Sequence, residues 1–235
     1  MRMTETTAVY VDGYNFYYGR IRGTPYKWID IVRLFERLVH EQTPSSQLTL
    51  VRYFSAFCLA RFSTHGNAST IAQDSFLRGH EIRHGTRFQK TMGTHTHDRS
   101  GTKMPRYVDG QPFNRADRVR VWKLEEKQTD VNIALAMYRD AASGRFSQLV
   151  VCSNDSDVEP VLRAIREDFP GIRLGVITPR RPPEEGAVAH RNMMSSLSAN
   201  ADWARSHIHD EELASCQLPH RIQTGKKPID KPAHW

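Results

Sequence analysis

The chain has 235 residues, 39% of them apolar, with 33 Lys and Arg against 26 Asp and Glu, a formal charge of +7 with neutral histidines. This composition supplies both a core and a wetted surface, which excludes disorder of the whole chain. No run reaches the ~18 apolar residues that a membrane helix needs, and the start, MRMTETTAVYVD, has no apolar export segment. Three widely spaced cysteines, Cys58, Cys152 and Cys216, make neither a disulfide framework nor a CxxC metal site, so a reducing cytoplasm and no membrane partner are expected. The basic surplus suits an enzyme or a nucleic-acid binder.

In chain order, Ala8 to Val11 reads as a buried strand ending at Asp12, with Gly13 permitting a sharp exit of the backbone. Ile31, Leu34, Phe35 and Leu38 keep the helical period behind a capping Asp30. Leu48 to Phe54 is a second strand, residues 66–79 a helix, and Glu81 to Thr86 a third strand. The insert from Thr91 to Asp117 has little periodicity and carries Arg99, Lys103, Arg106 and Arg115, as a functional or mobile loop would. Val119, Val121 and Leu124 mark one extended piece. Val131, Ala134, Leu135 and Tyr138 give a helix face that stops at Gly144. Leu149 to Cys152 suits a strand covered on both faces. Val158, Val161, Leu162 and Ile165 form the next helix face, closed by Pro170 and Gly171. Ile172 to Ile177 is another buried strand; a helix over Arg191 to Ala199 and a short strand near Ser206 to Ile208 follow. Residues 217–235, rich in Pro and Lys, are expected to be a disordered basic tail. Strands alternating with helices imply right-handed βαβ units, an α/β fold with a mainly parallel sheet.

The acids fall at the ends of these strands. Asp12 closes the first, Asp155 and Asp157 follow LVVCSN, and Asp130 opens a helix. In a doubly wound sheet, sites form beyond the carboxyl ends of the strands, where strand order reverses. Four carboxylates brought together there cannot all stay ionised without cations. One or two Mg²⁺ or Mn²⁺ ions, which favour oxygen ligands, would meet that need and would acidify water for phosphodiester hydrolysis. The plainer alternative is capping: SDVE at 156–159 reads as a capping box, and Asp130 as an ordinary first-turn acid.

Other residues admit two readings. Asn15 could orient a ligand or cap a helix, Ser153 could position phosphate or simply fill a turn, and Lys127 could offset phosphate charge or be solvated. His95, His97 and Asp98 resemble a metal triplet, though alternating histidines in a polar loop are usually inert. Tyr17 or Tyr18 could stack on a base. The signatures of P-loop NTPases, serine hydrolases, zincins and Rossmann dehydrogenases are missing.

VYVDGYN at 9–15, KQTDVNIALAM at 127–137 and VVCSNDSDVEPVL at 150–162 resemble the NYN domain family, of the LabA-like kind, in the PIN-like superfamily of metal-dependent nucleases. The resemblance spans roughly residues 7–216, including DEELASCQLP, with a basic insert at about 91–117. It implies a three-layer α/β/α sandwich and an acidic Mg²⁺- or Mn²⁺-binding centre that cleaves RNA. The family's first aspartate falls on Asp12 and its asparagine on Asn15; the helix-opening acid falls on Asp130, and the SxDxD pair on Asp155 and Asp157 behind Ser153. Relatives often carry cysteine pairs before the KxTD motif, whereas this chain has no cysteine between Cys58 and Cys152.

The resulting expectation is a single-domain, metal-dependent endoribonuclease. Asp12, Asp130, Asp155 and Asp157 hold the ions, Asn15 and Ser153 position ligands, and Lys127 offsets charge. Arg106, Arg115, Arg180 and Arg181 grip the phosphates of single-stranded or looped RNA. PIN-like domains commonly dimerise, so a homodimer is open to it. The alternatives are a non-catalytic RNA-binding or regulatory module, and a metal-dependent DNA nuclease or phosphodiesterase.

Overall fold

The computed structural model describes residues 5–183 and 195–235. Strand β1 (Glu5–Asp12) leads into a short α1 (Gly13–Phe16), a π-helical turn at Tyr17–Ile21, and α2 (Ile31–Gln42). Strand β2 (Ser46–Ser55), α3 (Asn67–His84) and β3 (Phe88–Met92) follow. An arm is built from β4 (Thr94–His97), β5 (Thr102–Pro105), β6 (Arg118–Val121) and β7 (Leu124–Lys127). The chain continues through α4 (Thr129–Ala142), β8 (Gln148–Cys152), α5 (Glu159–Asp168) and β9 (Arg173–Ile177). It ends with α6 (Ser195–Ala199), β10 (Trp203–Arg205), α7 (Asp210–Ser215), β11 (Arg221–Ile222) and β12 (Ile229–Asp230).

Six strands form one sheet in the order β10-β9-β8-β1-β2-β3, and every pairing is parallel. The chain starts in the middle, winds outward through β2 and β3, then returns to the other side of β1. Strand order therefore reverses between β1 and β8, the place where such sheets open a crevice. Period-two alternation divides the core into two layers. Val9 and Val11 face α2 and α3, while Ala8 and Tyr10 face α4, α5 and α6. This is the expected α/β sandwich with a parallel central sheet.

Several elements differ from the sequence reading. Residues Glu81 to His84 continue α3 instead of forming a strand, and the strand starts at Phe88. His80 is fully buried and accepts from the Ile31 amide, and His84 reaches Asp30, so tertiary contacts hold the last helical turn. On α4, Val131, Leu135 and Tyr138 face solvent, and Ile133, Met137 and Ala141 enter the core. Both rows keep helical spacing, and only packing on the sheet chooses between them. The insert is two antiparallel ladders, β4 on β7 and β5 on β6, in place of an irregular loop. The single extended piece expected near Val119 to Leu124 is split between β6 and β7. Trp122 between them packs against Phe62, with the Arg61 guanidinium 4.4 Å from its ring. The last sheet strand lies at Trp203–Arg205, just before the expected position, and α6 matches the end of the expected helix; residues 191–194 of that helix lie outside the described residues.

Residues 217–235 are not a disordered tail. Leu218, Ile222 and Ile229 are buried, Trp28 donates its indole N–H to the Pro219 carbonyl at 2.9 Å, and Trp235 packs on Trp28 and Phe76. The Lys and Pro residues stay on the outside, while a few large apolar side chains at wide spacing anchor the segment over α3. Ile222→Ala is expected to cost about 2–4 kcal/mol of stability in urea denaturation, as large-to-small core substitutions do; a free tail would give no change.

Candidate active site

Asp12 is the last residue of β1 and is only 1% exposed. Its Oδ1 accepts the Asn15 amide at 2.9 Å, which makes it the N-cap of α1. Its Oδ2 accepts from the Asn15 side-chain amide and from Ser153 Oγ at 3.0 Å. Each carboxylate oxygen has about two acceptor sites, so Oδ2 is filled and acceptor capacity remains on Oδ1. Gly13 makes this approach possible by clearance and not by unusual dihedrals. A Cβ there would stand 2.5 Å from the Tyr53 ring and 2.7 Å from the Phe54 carbonyl of β2.

A hydrogen-bonded chain continues across the switch point. Buried Ser153 follows β8 and accepts the Asp155 amide at 3.1 Å. Asp155 accepts the Asp157 amide at 3.0 Å and caps the turn that opens α5. Capping is thus real at Asp12 and Asp155, but the cap falls on Asp155, not on Ser156. Asn15 and Ser153 both act on Asp12 by hydrogen bonds, as positioning residues would.

Asp130, in the first turn of α4, completes the cluster. Burial, together with the charges of Asp12, Asp155 and Asp157, pushes its carboxyl up to about 6. Burial also raises Asp12 against its three donors, and Glu126 adds to that rise. Glu126 was not singled out in the sequence. It is half-buried, burial raises its carboxyl, and its Oε1 accepts Thr129 Oγ1 at 2.6 Å. The signal for it was the alternation of β7, which places residue 126 on one side of the ribbon and residues 125 and 127 on the other. Lys127 therefore does not offset charge at the cluster as expected: it is turned to Glu125 at 2.6 Å, and Lys123 also binds Glu125. The junction into α4 is tight. Gln128 has φ 77°, the left-handed region, and Gly93 lies where a Cβ would meet the Lys127 carbonyl at 2.5 Å. Strain is stored in the turn that delivers Asp130.

The expected basic residues fall into two groups. Arg180 and Arg181 follow the carboxyl end of β9, and Arg181 donates to the Arg22 carbonyl at 3.1 Å. Arg106 pairs with Asp117 on the β5–β6 hairpin, and Arg115 is exposed in its loop. His97 packs on Phe62, and Asp98 accepts from Ser100. Tyr17 packs on the core, and Tyr18 is exposed beside Tyr14.

The donor set suits a hard divalent cation: it consists of oxygen atoms alone, and its surplus negative charge is unrelieved. The carboxylates share one field without meeting at one point. Among the described residues, no three His, Cys, Asp or Glu groups are arranged to hold an ion as they stand. No described helix is long and apolar enough to cross a membrane.

The raised Asp130 has a consequence for stability. A carboxyl with a folded pKa above its unfolded value contributes most below its ordinary pKa near 4, and that contribution is lost as pH rises through about 6. At pH 7.5 its charge is a net cost, reduced by solvent because the group is only half-buried. Asp130→Asn is expected to raise the melting temperature at pH 7.5 by about 2–4 °C, roughly 1 kcal/mol, with no gain at pH 4.

Comparison with known proteins bears on this geometry. Residues 6–191 match the family model of the NYN domain. A Pseudomonas putida protein named 6-hydroxy-3-succinoylpyridine 3-monooxygenase HspA is 35% identical over 245 residues, covering 97% of this chain and 75% of that protein. The crystal structure of a protein of unknown function from Vibrio parahaemolyticus aligns with a TM-score of 0.50 at 17% identity, covering 93% of this chain and 99% of the other, a likeness of fold.

Proposed function

Because the chain belongs to the NYN domain family, a nuclease-like family with PIN-like architecture, we propose that it is a metal-dependent endoribonuclease. The observation that carries this reading is the mutual repulsion of Asp12, Asp130, Asp155 and Asp157, which share one electrostatic field at the switch point of the sheet. Asp12, Asp130, Asp155 and Asp157 would hold Mg²⁺ or Mn²⁺, with Glu126 adding charge. When bound, such an ion supplies neutralisation of the phosphate and acidification of water.

The chain's own groups do the rest. Asn15 and Ser153 hold the Asp12 carboxylate in one orientation through their hydrogen bonds. Asp155 is fixed by its cap. Burial and the charges of Asp12, Asp155 and Asp157 raise the Asp130 carboxyl, the repulsion that a bound cation would relieve. Arg180 and Arg181 beside the crevice, and Arg106 and Arg115 on the arm, bind phosphates without reading sequence. A single-stranded or looped RNA fits best, since one phosphate has to descend to carboxylates at the strand ends. The cytoplasm, where the three free cysteines stay reduced, is the expected setting.

Mn²⁺ titrated against labelled RNA and DNA tests the proposal. Wild type should cut RNA only with metal, and Asp12→Asn and Asp155→Asn should each lose on the order of 100-fold or more. Mn²⁺ should also raise the melting temperature of wild type and not of Asp12→Asn. Cleavage that survives both substitutions would sink the assignment. Equal cutting of DNA would favour a general phosphodiesterase, and binding without cutting a regulatory module.

The 35% identity across nearly the whole chain favours one second reading, oxygenation of a hydroxypyridine acid. Incubation with 6-hydroxy-3-succinoylpyridine, a reduced nicotinamide and O₂ would then consume one reductant per oxygen atom incorporated, read by mass spectrometry. Activity there, abolished in Asp12→Asn and without RNA cleavage, would move the site to that chemistry.

A further inference from the structure

Tyr14 and Tyr18 lie one helical turn apart, where α1 passes into the π-helical turn, and they are 47% and 50% exposed. Their ring centroids stand 4.4 Å apart at 37°, and the edge of Tyr17 buttresses Tyr18 at 5.2 Å. Packing does not require either ring to be aromatic. Phe16 and Ile21 fill the core from the same stretch, and Tyr17 packs beside them. The backbone below is fixed, because Gly19 is pressed against the Pro179 carbonyl with no room for a Cβ. That contact ties the tyrosine turn to the end of β9.

A guanidinium group covers the Tyr18 ring, which leaves the Tyr14 ring as the open one. The Arg22 guanidinium lies 5.3 Å from the centre of the Tyr18 ring, and Arg181 donates to the Arg22 carbonyl. Tyr14 follows Asp12 by two residues, and the charge of Glu126 reaches it. Along the chain the order is Asp12, the exposed rings of Tyr14 and Tyr18, then Arg22, whose carbonyl receives Arg181. Repeated along a short strand of nucleic acid, that order matches a phosphate at the carboxylates, a base, and the next phosphate.

We propose that Tyr14 and Tyr18 form a stacking platform for one nucleobase of single-stranded RNA next to the scissile phosphate, with Arg22 and Arg181 receiving the adjoining phosphate. This assignment deepens the nuclease reading and rests on it. Stacking on an aromatic face tolerates every base, since each has a π surface, so the platform orders the strand without selecting sequence.

The test measures binding apart from cleavage. Fluorescence anisotropy of a labelled single-stranded oligonucleotide is followed in EDTA, with an abasic residue scanned through each position. Tyr14→Ala and Tyr18→Ala should each weaken binding by about 10-fold, and the phenylalanine variants should restore it. The wild type should show one position where losing the base costs affinity, and that dependence should vanish in Tyr18→Ala. Arg22→Gln should lower the salt slope by about 0.7. In cleavage assays the loss should fall on KM, not on kcat. Unchanged binding in the alanine variants, or abasic scanning with no privileged position, overturns the platform even where cleavage is intact. Loss of binding in the tyrosine variants of a protein that cuts nothing supports the platform and sinks the nuclease reading alone. A wild type that binds no oligonucleotide overturns both.

Discussion

A negative charge at the end of a buried strand is the constraint on which this molecule turns. Asp12 is removed from water, and removal of a carboxylate from water is costly unless it is hydrogen-bonded or paired. The fold supplies donors on it from α1 and from the end of β8, which are Asn15 and Ser153. No guanidinium or ammonium group is hydrogen-bonded to it among the described residues. The charge is oriented and left uncompensated. That is unfavourable as structure and useful as chemistry, because a site that binds a cation has to keep its charge free.

The remaining acids deepen the imbalance. Asp130 comes from a helix whose entry turn is strained at Gln128, and Glu126 from the last strand of the arm. Within the arm, Glu126 stands on the β4–β7 ladder, and the basic hairpin is the separate β5–β6 ladder. Glu125 draws Lys123 and Lys127 to the far side, which keeps two ammonium groups from cancelling the cluster. Those ammonium groups and the acidic centre are separated by the period of a β-strand, and neither neutralises the other.

The family match and the named chemistry of the Pseudomonas relative point to different reactions on one scaffold. Fold alone does not settle a reaction, since unrelated chemistries recur on the same architecture. What distinguishes this site is its own chemistry: oxygen donors alone and mutual repulsion among them.

Local patterning determined a good deal of this. The run Ala8 to Val11 closed by Asp12, the strand Leu149 to Cys152, and the acids at 130, 155 and 157 were legible because buried strands are continuous and apolar, and because acids that close a buried strand or open a helix break that pattern. Alternation also held the clue to Glu126, but only once the register of β7 against β4 was known. Other features depended on long-range packing. Val131, Leu135 and Tyr138 share the helical period with the row that is actually buried, and periodicity cannot say which row meets a sheet. The last turn of α3 is held by His80 and His84 contacts to α2 and its cap. The C-terminal residues look disordered by composition, yet Ile222, Ile229 and Trp235 find a surface on Trp28 and Phe76 that exists only after the sheet and α3 have formed. Sequence sets which side chains can be buried or charged; tertiary contact decides which neighbours they meet, because burial is a property of two surfaces and a sequence describes them one at a time.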